Sequence, residues 1–468
     1  MNQFEYKSIS ELRALIQSRE ASVQEITESY LQRIERINPK VNCFLSVDPE
    51  EVMNQAKNAD KELQQGLIRS QLHGIPIALK DIFEHEGRSV TAGSKSFSFT
   101  STRTATVVRR LRTAGTVILG HLNLDEFAAG GTGDNAHFGR CKNPWDKRYI
   151  TGGSSSGSAA TIAARLATAT LGSDAGGSIR IPSAYCGVTG MKPTYGRVSR
   201  FGAIPRTWSM DCIGPIAHSA EDCATVIDAI AGADERDITS LKTPTNFLAS
   251  LATTFPGIRI GIDQNLIAQA HDVIQRACQE TIHLVKELGN TLHDIQIPNI
   301  DLLNDFQQVI VKSEAAALHG KRVRQSPEDL SMAMKSVIQE GFALPATTYI
   351  EALSLRARLL NKFNNTVFSH CDSVLLPVTP NVVPEYIALS STRTKTIEKY
   401  FSESAHFTRF ANYLGLPAIS FPCGFDQRSL PVGMQLIGSP WSEQKLLQTV
   451  HVIQKMTDHH LATPAQCV

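Results

Sequence analysis

At 468 residues, with 42% hydrophobic and 19% charged residues, the chain has the make-up of a folded globular enzyme, not of a disordered or fibrous protein. Its formal net charge of +1 supplies no field for nucleic acid or an anionic membrane surface, and no run reaches the ~18 apolar residues of a membrane span. The nine cysteines are scattered, odd in number and never in CxxC or CxH spacing, which disfavours a disulfide framework and a zinc site and reads them as buried thiols.

The chain opens without the apolar h-region of a secretory signal, so the cytoplasm is the expected compartment. Two capping boxes, Ser8 with Glu11 and Ser22 with Glu25, predict helices reaching about Ser18 and Asn38, and Asp48 before Pro49 starts a third. The nearly continuous apolar run from His73 to Phe83 then reads as a strand covered on both faces. Lys80 lies inside it. A lysine there is costly unless paired or neutral, and desolvation lowers its pKa toward that of a usable base. The plainer alternatives are an ion pair with Asp81 or a side chain snorkelling outward; adjacent residues of a regular strand point to opposite faces, which disfavours the pair.

A helix from about Thr104 to Ala114, stopped by Gly115, and a strand from Thr116 to Gly120 make an α-then-β unit typical of a layered α/β fold. The glycine-rich run from Ala128 to Gly133 lacks the strand-then-helix context and the later acidic partner of a nucleotide loop. Small residues then crowd two points, Gly152 to Ser158 and Asp174 to Ser178. The Ala-rich segment Ala159 to Ala169 between them reads as a buried helix, and Ala167 to Gly172 as a strand ending in a tight turn at Gly176 and Gly177. Glycines there let backbone approach a ligand, and a serine opening the next short helix at Ser178 sits where backbone N–H groups can meet an oxyanion.

Beyond it, helices are expected from about Ala220 to Gly232 and Ala268 to Leu288, and strands from Gly257 to Ile262 and Thr291 to Ile297. Asp301 to Leu355 reads as mostly helical, broken at Gly341 and Pro345, and is where substrate specificity is expected to vary. Short strands at Asp372 to Pro377, Leu416 to Pro422 and Val432 to Gly438 and a helix from Ser442 to Met456 close an α/β pattern without repeats or linkers. One domain over residues 1–468 is expected, made of N-terminal helices (1–62), a core (63–240), an α/β part with an inserted helical cap (241–365) and a C-terminal α/β part (366–468).

None of the 14 histidines lies in HExxH spacing and no GxxxxGK[ST] loop is present, which argues against zinc hydrolysis and a P-loop NTPase. Gly153-Ser154-Ser155-Ser156-Gly157 fits the G-x-S-x-G elbow of a Ser-His-Asp hydrolase literally, with Ser155 as nucleophile, but Lys147 to Thr151 makes a poor buried strand before it.

The long match lies elsewhere. Gly152-Gly153-Ser154-Ser155-Ser156-Gly157-Ser158, Gly172-Ser173-Asp174-Ala175-Gly176-Gly177-Ser178-Ile179-Arg180 and Gly190-Met191-Lys192-Pro193-Thr194 resemble the signature of the amidase signature family. The likeness extends to Asn143-Pro144-Trp145-Asp146, Tyr195 to Ser199 and Asp211 to Pro215, the last two read as loops closing over the core, and Trp145 as a packing residue. It is dense from about Leu72 to Ala217 and thinner after that. The resemblance implies a mixed central β-sheet sandwiched between helices. It also implies a Ser-Ser-Lys triad, with nucleophile Ser178, bridging Ser154 on a cis Gly153–Ser154 peptide, and Lys80 in Gly74 to Asp81.

On the same footing the resemblance implies acyl transfer through an acyl-enzyme. The oxyanion is met by N–H groups of Ala175, Gly176, Gly177 and Ser178, and backbone near Ala128 and Gly130 lines the substrate pocket. Ser155 and Arg180 support the cluster, though Arg180 reads almost equally as an ordinary ion pair. The scheme needs no metal or organic cofactor, and its partner is a small-molecule amide, with a homodimer as a candidate assembly. Three readings stand: a stand-alone amidase; the glutaminase subunit of the tRNA-dependent amidotransferase, which works with partner subunits; and a non-catalytic binding protein on the same scaffold. The second is disfavoured because Ser313 to His319 leads into Arg324 and Pro327-Glu328-Asp329 without an aspartate-glycine-valine-arginine-tyrosine run. The third is disfavoured because all three triad positions are filled.

Overall fold

Both N-terminal capping boxes are formed: Ser8 and Ser22 each accept from the N–H of the glutamate three residues on, whose carboxylate accepts in return from the cap backbone. They start helices Ile9–Ser18 and Val23–Val41, and Asp48 caps Pro49–Gln64 with Pro49 in the first turn. These features come from a computed structural model that describes residues 4–386 and 402–467.

Thirteen strands are described: β1 (Phe44–Ser46), β2 (Pro76–Lys80), β3 (Ser89–Val90), β4 (Phe99–Thr100), β5 (Val117–Leu122), β6 (Ala169–Asp174), β7 (Thr189–Lys192), β8 (Cys212–Ala217), β9 (Arg259–Ile262), β10 (Thr291–Asp294), β11 (Ser373–Pro377), β12 (Ala418–Phe425) and β13 (Pro431–Gly438). Eleven of them make one sheet in the order β1-β5-β2-β6-β8-β7-β12-β13-β11-β9-β10, while β3 and β4 pair apart. The sheet is mixed, as expected, and flanked by helices. β2 runs parallel to β5 and β6, and β6 runs antiparallel to β8. Every residue of β2 is buried, the reason its sequence is apolar without alternation. All nine cysteines are buried free thiols. Among the described residues no helix is long and apolar enough to cross a membrane.

Three sequence expectations shift. The Ala-rich helix spans Ser156–Ala163 instead of Ala159 to Ala169, because Ala169 already begins β6 beside β2. Asp211 to Pro215 is no closing loop: Cys212–Ala217 is β8, a central strand between β6 and β7. Gly214-Pro215 reads locally as a turn, yet a side chain at Gly214 would strike the Met191 carbonyl, so glycine is what lets β8 lie so close to Met191 in β7. Gly341 does not break its helix, Met332–Ala343; it packs that helix onto Ile300–Gln325, where a Cβ would meet the Lys312 carbonyl at 2.1 Å. Pro345 does separate it from the next helix, Ala346–Phe363, as N-cap.

Candidate active site

The parallel pair β2 and β6 ends side by side, and the two strand ends deliver the site. Lys80 closes β2 and is fully buried. Its Nζ lies 2.8 Å from Ser154 Oγ, 3.0 Å from Ser155 Oγ and 2.9 Å from Ser173 Oγ. Asp81 faces away, toward His121 Nδ1 at 2.9 Å and Thr91, as the alternation of a strand requires. Burial pushes the Lys80 pKa down to about 7, and the nearby charge of Asp125 opposes that fall without reversing it. A neutral amine has two protons to give and one lone pair to receive. Ser155 Oγ donates to Ser173 C=O at 3.1 Å and accepts from Ser173 N–H at 3.2 Å, so its own proton is committed. Among the three hydroxyls, the lone pair is therefore left to a proton from Ser154 or Ser173.

The Gly153–Ser154 peptide is cis. Gly153 has no room for a side chain, since a Cβ would sit 2.0 Å from Asp125 Oδ2. Ser155 precedes helix Ser156–Ala163 without capping it through its side chain, because its hydroxyl is spent on Lys80 and Ser173. The Ser155 elbow finds no support either: among the described residues no strand leads into it, and its side chain is fully buried in this cluster.

Beyond β6 the chain turns through Ala175, Gly176 and Gly177 to Ser178 and the helix Arg180–Cys186. Asp174 organises the turn, its carboxylate accepting from Gly177 N–H at 2.7 Å and Ile179 N–H at 3.1 Å. Arg180 grips the same carboxylate through Nε and Nη2, both at 3.1 Å, and reaches Asn412 Oδ1 at 2.7 Å and Gln435 Oε1 at 3.0 Å. Burial works to raise the Asp174 pKa, but the Arg180 guanidinium overcomes it and holds the carboxyl well below the usual range. Gly177 takes φ of +128°, and a Cβ there would collide with Thr408 Oγ1 at 2.5 Å. The Gly177 N–H is already engaged, whereas among the described residues no hydrogen bond uses the N–H of Gly176 or Ser178.

Ser178 is half-buried on the wall of a cavity of about 270 Å³, to which Ala128, Gly130, Ala175 and Gly176 also contribute. The Ser178 carbonyl accepts from Ser155 N–H at 3.2 Å, tying the two serine segments together. No hydrogen bond to Ser178 Oγ is present among the described residues, so the structure brings Lys80 to Ser154 without closing the link from Ser154 to Ser178. Trp145 packs as expected, its Nε1–H donating to Cys186 C=O at 2.8 Å and its ring lying 5.0 Å from Phe425.

Four residues here went unread in the sequence. Ser173 stood inside a matched motif without a role. Asp125, fully enclosed, accepts from the N–H groups of Thr132 and Gly133, and burial pushes it up to about 7. Gln307, from helix Ile300–Gln325, donates to Ala175 C=O at 2.7 Å. Arg206, on an irregular loop, lines the cavity.

The Amidase family profile matches residues 25–447. The A subunit of the glutamyl-tRNA(Gln) amidotransferase of Neisseria meningitidis serogroup A is 38% identical over 490 residues, covering 99% of this chain and all of that one. Among solved structures, a chain from a vestigial complex bearing on the evolutionary origins of an s-triazine catabolic enzyme is 30% identical with a TM-score of 0.89, covering 96% and 98% of the two chains. The native peptide amidase from Stenotrophomonas maltophilia is also 30% identical, with a TM-score of 0.83 and coverage of 96% and 97%. Sequence and architecture agree over nearly the whole length, and the chain belongs to the Amidase family.

Proposed function

We propose that the protein is a serine amidase that cleaves a carboxamide C–N bond through an acyl-enzyme. Ser178 Oγ attacks the carbonyl carbon while its proton passes by way of Ser154 to neutral Lys80. The N–H groups of Gly176 and Ser178, with Ala175 beside them, receive the oxyanion; Gly177 serves the turn itself, because its N–H is held by Asp174. The proton returns through Ser154 to the leaving nitrogen, ammonia or an amine departs, and water cleaves the ester bond to Ser178. Arg180 is a positioning residue, fixing Asp174 and through it the turn that carries Ser178. The reading includes a cytoplasmic enzyme acting on a small-molecule amide without a cofactor, a single domain, and a homodimer as the assembly to test by light scattering.

The observation that supports this most is the enclosed lysine whose Nζ, among the described residues, meets three serine hydroxyls and nothing else, next to a turn that carries Ser178 on a cavity wall. An amide panel assayed on the protein purified alone, with Ser178→Ala as control, tests it; turnover retained in the control rejects Ser178 as nucleophile.

A second reading is favoured by the full-length relatives at 38% identity: the glutaminase component of an amidotransferase. Activity on glutamine alone, and only with partner subunits added, would select it. The helix Ile300–Gln325 carries Glu314 of the Ser313 to His319 run inward to Thr207 and Tyr349.

A further inference from the structure

The cavity that holds Ser178 is lined by three cationic side chains, and they are not equally satisfied. Lys312 is ion-paired with Glu340 across the two helices of the wall. Arg409 Nη1 donates to Ser402 Oγ at 3.3 Å. Arg206 differs. Its backbone is fixed, because Asp211 Oδ2 accepts from the N–H groups of Arg206 and Thr207 at 2.9 and 3.0 Å. Its guanidinium, by contrast, makes no ion pair or hydrogen bond among the described residues, and Nη1 is closed off from solvent with no acceptor. Burial pushes the Arg206 pKa down to about 10, and the charges of Asp211 and Asp125 offset that fall only in part, leaving the enclosed Nη1 without a contact of its own.

The carboxylates nearby act on Arg206 through their charge, Asp211 and Asp125 foremost, but among the described residues none accepts a hydrogen bond from its guanidinium, because their oxygens face other donors. Asp125 accepts from Thr132 and Gly133, and Asp211 from the loop that carries Arg206. Glu126 accepts from Ser331 N–H and pairs with His137, both at 2.7 Å, and Asp134 accepts from Tyr386 Oη at 3.2 Å. Burial pushes Arg409 down to about 10; Asp305 opposes that fall and Arg206 adds to it by a smaller amount, so the two guanidiniums are within electrostatic reach of each other. Of the two, Arg206 is the one whose enclosed Nη1 has no acceptor among the described residues, so it is the one an incoming anion would engage.

We propose that Arg206 is a specificity-determining residue that receives a carboxylate on the acyl side or leaving group of the substrate, so that the preferred substrates are amides bearing a free carboxylate. This rests on the amidase reading and narrows its substrate class. A carboxylate suits Arg206 because a planar guanidinium presents parallel N–H donors matched to two oxygens. A neutral amide of the same length offers the guanidinium one uncharged carbonyl oxygen in place of two charged ones, a weaker and single-pronged contact.

Matched pairs of small amides, succinamate with succinamide and glutaramate with glutaramide, test it by the ratio of kcat/KM within each pair. The wild type is expected to favour the carboxylated member by roughly tenfold or more. That ratio should collapse in Arg206→Met, chiefly through KM, and recover in part in Arg206→Lys. A wild-type ratio at or below one, or a ratio that Arg206→Met leaves intact, overturns the proposal whatever the stability of the variant. A binding arm needs no turnover: in Ser178→Ala, succinamate should raise the melting temperature more than succinamide, and that difference should vanish when Arg206→Met is added. Equal protection by the two ligands counts against the anion site. Failure to hydrolyse any amide, with no fluorophosphonate label on Ser178, would instead strike the amidase reading while the binding arm still decides on Arg206.

Discussion

The serine–lysine cluster and the helical wall of the same cavity obey different rules. In the cluster, Lys80, Ser154, Ser155, Asp174 and Arg180 are wholly enclosed, sit on or beside the ends of β2 and β6, and leave none of their own polar side-chain atoms without a partner. The wall is made by the helices Ile300–Gln325 and Met332–Ala343, where Lys312 and Glu340 remain partly in solvent, and by the loop bearing Arg206 with its unpartnered nitrogen. A fully satisfied network of buried donors and acceptors tolerates almost no substitution. A wall of half-exposed side chains on helices can change its chemistry without disturbing the sheet. The first region thus fixes the reaction, and the second is free to fix the substrate.

The sharpest way to break this contrast is at Lys80. Lys80→Ala should lower kcat/KM by roughly two to four orders of magnitude, the span general acid–base catalysis supplies. Steady-state kinetics on any accepted amide reads it, and a rate near wild type would mean that the cluster is structural. Asp174→Asn comes next: it keeps the shape but strands the Arg180 charge, for which ~3–5 kcal/mol of stability is expected to be lost. Urea denaturation measures that loss, and turnover should fall with it because Gly177 and Ile179 lose their anchor.

The pH profile is the third test. Lys80 must be neutral to accept a proton and burial sets its pKa to about 7, so kcat/KM should rise with pH and level off above that value. Below it the slope should approach tenfold per unit, since only the deprotonated fraction is active. A profile still climbing through pH 9 would show that Lys80 keeps its ordinary affinity for protons and that its enclosure does not govern its charge.

What could be read in the sequence follows the same division. Lys80 stood out because a charge within an unbroken apolar strand violates its surroundings, and Ser154 and Ser178 because their glycine-rich frames resemble a known signature. Local pattern carried both. Arg206 sits in Ile204-Pro205-Arg206-Thr207, a stretch with no periodicity, and its significance comes from lacking a partner, a property of the whole fold that no neighbouring residue reports. Asp125 was hidden likewise: the glycines at 130 and 153 that make room for it lie in separate segments of the chain. Strand β8 was missed because Gly214-Pro215 signals a turn locally, and only contact with β6 and β7 makes it a strand.

Gln307 joins the two regions and should show an intermediate effect. Its Nε2 donates to the Ala175 carbonyl at the start of the nucleophile turn. Gln307→Leu removes that bond and leaves a buried acceptor bare, a cost of ~1–3 kcal/mol. A drop in kcat/KM of about tenfold is expected, with melting temperature changed less than in Asp174→Asn. Loss of stability without loss of rate would make Gln307 a packing residue and separate the wall from the turn.

The smallest effect belongs to the wall itself. Lys312 and Glu340 pair across the two helices with 26% and 47% of their side chains exposed, so solvent screens the attraction and the pair is worth only ~0.2–1 kcal/mol. Glu340→Gln should therefore barely change the denaturation midpoint. Its influence on substrate should be easier to see, because releasing Lys312 adds an uncompensated positive charge to the wall that already carries Arg206 and Arg409. If the wall sets specificity through charge, Glu340→Gln should lower KM for succinamate by a few fold at low ionic strength, leave succinamide nearly untouched, and lose the difference as salt shortens the Debye length to about 3 Å near 1 M. Equal shifts for both amides, or a shift indifferent to salt, would show that the helices shape the cavity by packing alone.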